Sequence, residues 1–371
     1  MRHTLLLWRG VVSIPVYGDI GELGYYFLDV SIGTPAQRLS VIIDTGSTGL
    51  LVTCTNCYSC GKEHLDSFFS PESSSSFHSV CPTSMFRSSE CLFNKHYLEG
   101  SYLKGRYVED SVFENKMKFG CIESESRAFL TQKANGILGL APQEVPVFDF
   151  FSLCLSSRGG EFHILSDQVP EVFIPLQYVE GHYIVSPMSV SVGNTTYSDE
   201  MLGKEVLIDS GSTITYFPQN LFSDIFSKIN STTCWDHIPS LPVILLVFNQ
   251  SNGPELSVPF ENYYYMNDQG RWCLSIASNG NLNRTDLGAS WLVGKNVTIS
   301  AKNKWISIQP RVDCPSWNLT QRVPTPKRVE ESGWLSVVLL IGVCLSIAAC
   351  LFKVVYRSVA YTRLPTEFGV E

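Results

Sequence analysis

Basic residues are the minority here. Lys and Arg number 27 against 35 Asp and Glu, a net charge of -8. That balance argues against nucleic acid as a partner and leaves cationic peptides as compatible ligands. Charge of either sign is sparse, at 17% of residues against 44% hydrophobic, which fits a globular protein carrying a membrane span. Charge is missing altogether from Trp334 to Phe352, a run about long enough to cross a bilayer, although a buried core helix is its other reading. Lys353, Arg357 and Arg363 follow it, so residues 333–353 are expected to span a membrane once, with residues 354–371 as a cytoplasmic tail. Residues 315–332, with Pro324 and Pro326, read as a stalk. A convincing leader is also missing. Residues 1–20 start with a basic Met1–Arg9 whose apolar core is too short for a good signal peptide, and no inhibitory prosegment follows. The chain thus reads as truncated or as an incomplete reading of its gene.

Cysteine, by contrast, is plentiful. Of twelve, Cys344 and Cys350 fall in the uncharged run. The other ten, Cys54, Cys57, Cys60, Cys81, Cys91, Cys121, Cys154, Cys234, Cys273 and Cys314, are an even set suited to disulfides in an oxidising compartment. Cys54, Cys57 and Cys60 with His64 could also be drawn as a zinc site, but a secretory chain favours disulfides, and no metal is expected. Sequons at Asn194, Asn230, Asn249, Asn283, Asn296 and Asn318 agree with lumenal exposure.

From Tyr25 onward, short apolar stretches alternate with Gly, Pro and Ser clusters, an all-β pattern. One stretch organises the rest. Val41-Ile42-Ile43 reads as a buried strand that delivers Asp44 into the small-residue turn Thr45-Gly46-Ser47-Thr48. A carboxylate there is costly unless hydrogen-bonded or used, and Thr45 and Ser47 offer hydroxyls and amides to it. Alone, this is a strand ending in a polar turn. But Val206-Leu207-Ile208-Asp209-Ser210-Gly211-Ser212-Thr213 repeats it, which suggests a duplication with one acid per half. Two such turns brought face to face would place two carboxylates at one site. One would keep a proton, and the pair could hold a water between a base and an acid, with no cofactor.

On these motifs the chain resembles the pepsin-type (family A1) aspartic proteases. The resemblance implies a bilobed all-β pepsin-like fold, two barrel-like lobes around a deep cleft, plus the C-terminal membrane helix. The lobes would be residues 21–160, with a Cys-rich insert at about 54–91, and residues 161–314. Asp44 and Asp209 would be catalytic, with Thr45, Gly46, Ser47, Ser210, Gly211 and Ser212 supporting them. The family's apolar-apolar-Gly strand, which crosses beneath each acid, is expected at Gly136–Leu140 and at Trp291–Gly294. Phe148–Leu155 matches the family's short helix and lobe-crossing strand, or is an ordinary core strand.

The insert is similar to that of nepenthesin-type enzymes. That likeness implies the pairs Cys54–Cys57, Cys60–Cys121, Cys81–Cys91, Cys154–Cys314 and Cys234–Cys273. Tyr97-Leu98-Glu99-Gly100-Ser101 matches the family's flap, with Tyr97 facing the acids; it also reads as a plain β-hairpin with an exposed Tyr. Glu99, Gly100 and Thr213 join Tyr97 as expected substrate-binding residues. Flap, insert and membrane tail together resemble plasmepsin V and its apicomplexan relatives. Those enzymes cut secreted proteins after the Leu of an Arg-x-Leu motif, and Glu99 would receive the Arg, although it also reads as a solvated turn acid. Leu98 stands where malarial members carry Cys.

The expectation is therefore a single-pass type I endopeptidase of the endoplasmic reticulum or Golgi membrane, acting on peptide or protein substrates. A broad-specificity acid or β-secretase-like protease, and a non-catalytic peptide receptor on the same scaffold, stay open beside it.

Overall fold

Strand β1 (Val12–Asp19), β2 (Tyr25–Ile32) and β3 (Gln37–Asp44) open the first half. Every residue of β3 from Leu39 to Asp44 is buried, so the strand is covered on both faces, and its apolar residues Leu39, Val41, Ile42 and Ile43 point to both. β2 flanks it antiparallel, and the strand Gly136–Leu140 flanks it parallel on the other side. The chain leaves β3 at Asp44, turns, and returns as β4 (Thr48–Thr53), antiparallel to the far edge of Gly136–Leu140. The acid turn therefore straddles that strand. Gly139 lies opposite Asp44 in the register, and a Cβ on it would overlap the backbone of Ser47 and Thr48, so only glycine fits under the turn.

The computed structural model describes residues 12–80, 91–142, 147–165, 170, 172–229, 233–237, 242–248, 255–267, 269–311 and 313–322. All lie in one of two compact units, Met1–Arg322; the second, Val323–Glu371, lies outside the described residues together with the expected span and tail and most of the expected stalk. Among the described residues no helix is long and apolar enough to cross a membrane.

The second half repeats the device with shorter strands. Val206–Ile208 runs parallel to Thr285–Leu287, and Thr215–Phe217 returns antiparallel along the far side. The expected crossing strand at Trp291–Gly294 is thereby corrected: it is Thr285–Leu287, and Ala289–Leu292 is a buried helical turn. Gly288 takes the part of Gly139, since a Cβ there would overlap the Ile214 backbone. An acid, Asp286, breaks the apolar-apolar-Gly pattern at this strand, which hid it from the sequence.

The halves share a platform. Phe150–Leu155 pairs antiparallel with Gly160–Ile164 on one side and with Lys295–Ser300 on the other. These strands continue into a sheet of fourteen strands that includes β1 to β4. The anticipated lobe border at residue 160 falls inside this hairpin. The main apolar core runs from Val16 and Val41 through Phe151 to Ile208 and Trp291, and a smaller cluster around Phe27, Phe93, Leu103 and Phe129 lies beneath the expected flap.

Cys154–Cys314 ties the platform to the C-terminal segment, and Cys234–Cys273 closes a loop of the second half. In the insert, two pairings differ from expectation: the bonds are Cys54–Cys121 and Cys57–Cys60, not Cys54–Cys57 and Cys60–Cys121. The reason is local. Val52 and Cys121 are parallel partners in the register of β4 and the strand Asn115–Glu125, which carries fully buried Cys54 past Cys121. Cys57 and Cys60 are left on the turn outside. With all four sulfurs bridged, no thiolate remains here to ligate zinc. Cys91 is also bridged, and its expected partner Cys81 lies outside the described residues.

Candidate active site

Two strands, each parallel to its own crossing strand, deliver the two acids to one place. The bonds below them cross from half to half. Thr45 Oγ1 donates to Ile208 O (2.8 Å) and accepts from Ser210 N (2.9 Å). Ser210 Oγ donates to Ile43 O (2.8 Å) and accepts from Thr45 N (3.1 Å). Each hydroxyl thus satisfies buried backbone groups of the other half, which fixes the separation of the turns. That Ser210 lacks the methyl of Thr45 changes none of these bonds.

Above this grip each acid is held by its own turn. Gly46 N donates to Asp44 Oδ1 (2.8 Å), and Ser47 Oγ donates to Asp44 Oδ2. Gly211 N donates to Asp209 Oδ1 (3.0 Å), and Ser212 donates through its hydroxyl to Oδ2 (2.7 Å) and through its amide to Oδ1 (3.3 Å). The two glycines are required by the opposite acid: a Cβ on Gly46 would collide with the Asp209 carboxylate, and one on Gly211 with that of Asp44. Each carboxyl group therefore sits against the other half's turn, close enough for the two to feel each other's charge. Burial first, and then the charge of Asp209, pushes the Asp44 carboxyl up to about 7. Such a pair shares a proton and releases it as a unit.

Tyr97 hangs over the acids from the hairpin Leu92–His96/Tyr102–Val112. Its ring stands edge-on to Phe129 at 5.0 Å, and its hydroxyl lies on the Ser47 side of the dyad. Burial and the charge of Asp44 drive the phenol well above its ordinary range, so it stays a neutral donor. Gly100 turns the tip at φ +88°, and Leu98 beside it is 79% exposed. Glu99 is exposed at the tip rather than buried, yet its charge reaches Tyr97 and, in the second half, Tyr216. Thr213 Oγ1 donates to Gly24 O (2.5 Å), closing one end of the cleft between halves.

A cavity of about 460 Å³ adjoins the acids, lined by residues that include Glu22, Tyr25, Gln132, Lys133, Gly211 and Thr213. Gly211 and Thr213 were foreseen; Glu22, Gln132 and Lys133 were not, because they come from loops without a motif. Asp286 was also missed. It is buried beside the second turn and paired with Arg284 (2.7 Å); burial raises its carboxyl, with Arg284 opposing. Its signal was an acid directly before Leu-Gly. Among the described residues no cluster of His, Cys, Asp and Glu could hold a metal ion.

Comparison with known proteins agrees with this geometry. The chain is 35% identical to plasmepsin V of Plasmodium falciparum over 193 residues, 44% of this chain and 32% of that protein. It is 24% identical to aspartic protease 5 of Toxoplasma gondii over 396 residues, 86% of this chain and 39% of that protein. It is 26% identical to aspartic proteinase nepenthesin-1 of Nepenthes gracilis over 328 residues, 72% and 73% of the two chains. The chain thus spans only about a third of the plasmepsin V it matches. The profile of the eukaryotic aspartyl proteases matches residues 25–154 and 171–309, taking in both acid turns and most of the sequence. The chain belongs to the eukaryotic aspartyl protease family.

Proposed function

We propose that the protein is an aspartic endopeptidase in which Asp44 and Asp209 hold the attacking water and share one proton. The ionised member takes a proton from the water as its oxygen attacks the scissile carbonyl. The protonated member gives its proton to the carbonyl oxygen, and the tetrahedral diol then collapses as the amide nitrogen is protonated. Tyr97 closes over the peptide and excludes water, and the turn amides of Gly46 and Gly211 keep the carboxylates oriented. The observation that carries this reading is the pair of carboxyls on matched turns, set against each other's glycine and held at one separation by the reciprocal bonds of Thr45 and Ser210.

The substrate we infer is a peptide with Arg, then Leu two positions on, cut after the Leu. Two acids support a cationic side chain near the cleft: Glu22 on the cavity wall and Glu99 on the flap. The bridged cysteines, and exposed sequon residues at Asn194, Asn283 and Asn318, support a lumenal setting in the endoplasmic reticulum or Golgi. Anchoring by a single C-terminal span, from the uncharged run at Trp334–Phe352, completes the proposal.

Asp44→Asn and Asp209→Asn should each cut the cleavage rate of an Arg-x-Leu peptide by a factor on the order of a thousand or more, with circular dichroism unchanged. Cleavage persisting at the parent rate in either variant would remove the dyad from the mechanism. The general acid must be protonated, so raising the pH through about 7 should extinguish activity. Glu22→Gln and Glu99→Gln should flatten the preference for Arg over Ala. A parent enzyme without any Arg preference would leave the broad-specificity acid protease as the reading.

A further inference from the structure

The segment Ser126–Lys133 touches the flap on one face and the cavity on the other. Toward the flap it makes polar and ring contacts. Ser126 Oγ accepts from the amide of Tyr102 (2.7 Å), Arg127 Nη1 donates to the carbonyl of Glu99 (3.2 Å), and Phe129 carries the ring of Tyr97. Toward the cavity it presents Ala128, Thr131, Gln132 and Lys133. Its own bonds make it one body: Phe129 N donates to Ser126 O, and the amides of Thr131 and Gln132 both donate to Ala128 O. It is also backed. A Cβ on Gly61 would overlap the carbonyl of Leu130, so the insert presses on the segment from behind.

Arg127 is the unusual member. It holds φ +48°, a left-handed conformation that few side chains adopt, and in this pose its guanidinium fills the space that a side chain at position 100 would occupy. The latch and the bare glycine of the flap tip are thus two parts of one fit. From Tyr97 the chain of contacts runs on through Ser47 to Asp44.

We propose that this segment couples filling of the cavity to closure of the flap, with Arg127 as the positioning residue that latches the tip. A peptide long enough to occupy the cavity presses on Thr131–Lys133. The turn, backed by Gly61, holds Arg127 and Phe129 against the flap, and Tyr97 is set over the dyad. A short peptide leaves the latch to open and close on its own. This rests on the protease reading and adds that the enzyme measures the length of its substrate.

The test uses the full chain and two non-hydrolysable peptides that carry a hydroxyl-bearing tetrahedral carbon in place of the scissile carbonyl. One spans only the two residues around that carbon; the other extends three residues at each end, so that one arm reaches the cavity whichever way the peptide lies. Hydrogen exchange is followed at the amides of 97–102 and of 131–133. In the parent protein the longer peptide should slow exchange at 97–102 about threefold to tenfold more than the short one. Arg127→Asn tolerates the left-handed backbone and removes the guanidinium. In that variant the extra protection of 97–102 should vanish, while the longer peptide still protects 131–133. Phe129→Leu, which leaves the backbone alone, should halve the effect or more and serves if Arg127→Asn does not fold. Length-dependent flap protection that survives in both variants, or is missing from the parent, overturns the coupling. Failure of the parent to bind either peptide overturns the protease reading and the coupling with it.

Discussion

Asp44 ends an eight-residue strand whose last six residues are buried, whereas Asp209 follows a strand of three. The first acid rests on a sheet braced by a buried disulfide from Cys54 to Cys121. The second rests on Thr285–Leu287, a short strand interrupted by a buried charge at Asp286. Yet both carboxylates end in matched turns. The difference teaches where the precision of the second site comes from. Its own sheet is too brief to fix it, and the bonds from Thr45 and Ser210 transfer the position of the first turn to the second.

Breaking the first half's foundation should have the largest effect. Replacing Cys54 and Cys121 with Ala opens a loop with a sequence separation of 67 and leaves a gap behind β4. A loss of about 4 kcal/mol is expected in denaturant melts, and peptide cleavage should fall with it. Replacing Cys57 and Cys60, only 3 apart, should cost about 2 kcal/mol or less. Equal costs would show that the insert, not β4, carries the support.

Next comes the grip. Thr45→Val strands Ile208 O and Ser210 N, and Ser210→Ala strands Ile43 O and Thr45 N. Each should cost about 2–4 kcal/mol, and the double variant should cost clearly less than the sum, because the two hydroxyls serve one interface. Thr45→Ser keeps every bond and should cost about 1 kcal/mol for the lost methyl. Additive costs would mean that the halves hold their turns independently.

The same contrast explains how far the sequence could be read. The first half was legible because Val41-Ile42-Ile43 of β3 and the strand Gly136–Leu140 carry no polar side chain, and an apolar run before an acid turn has few meanings. The second acid was legible only as a repeat of the first. Its crossing strand was not, because Thr285 and Asp286 are buried polar residues whose partners, Leu202 O and Arg284, no periodicity announces. The insert's bridges were misread for a related reason. Which cysteine faces Cys121 depends on the parallel register of β4 with Asn115–Glu125, a long-range pairing that spacing does not encode. Glu22, Gln132 and Lys133 reach the cavity from loops, where position follows from tertiary packing alone.

Buried charge divides the halves once more, and this yields the finest test. Against the first half Arg322 meets two acids: its Nε donates to both oxygens of Asp29 (2.9 and 3.0 Å) and its Nη2 to Asp66 (2.5 Å), which also accepts Ser40 N (2.9 Å). In the second half Lys295 is only 4% exposed, and its ammonium meets neutral acceptors, Asn262 Oδ1 (3.3 Å) and Val293 O (3.2 Å). Burial lowers it from 10.5 to about 8. A lysine depressed on folding weakens the folded state wherever it is charged there. The penalty is therefore full below about pH 8 and is relieved as pH rises from there toward the unfolded value of 10.5. Its size is at most about 3 kcal/mol, less the worth of the two hydrogen bonds. Lys295→Met should then stabilise the protein at pH 6 by about 1–2 kcal/mol, with the gain gone by about pH 10. Arg322→Met should do the reverse, costing about 1–2 kcal/mol at pH 6, because Asp29 and Asp66 then keep only Arg38 as cationic partner (3.9 and 3.4 Å). Urea melts of both variants across that pH range decide it: a destabilised Lys295→Met at pH 6 would mean that the lysine is as well satisfied as the arginine, and that the two halves bury charge on the same terms.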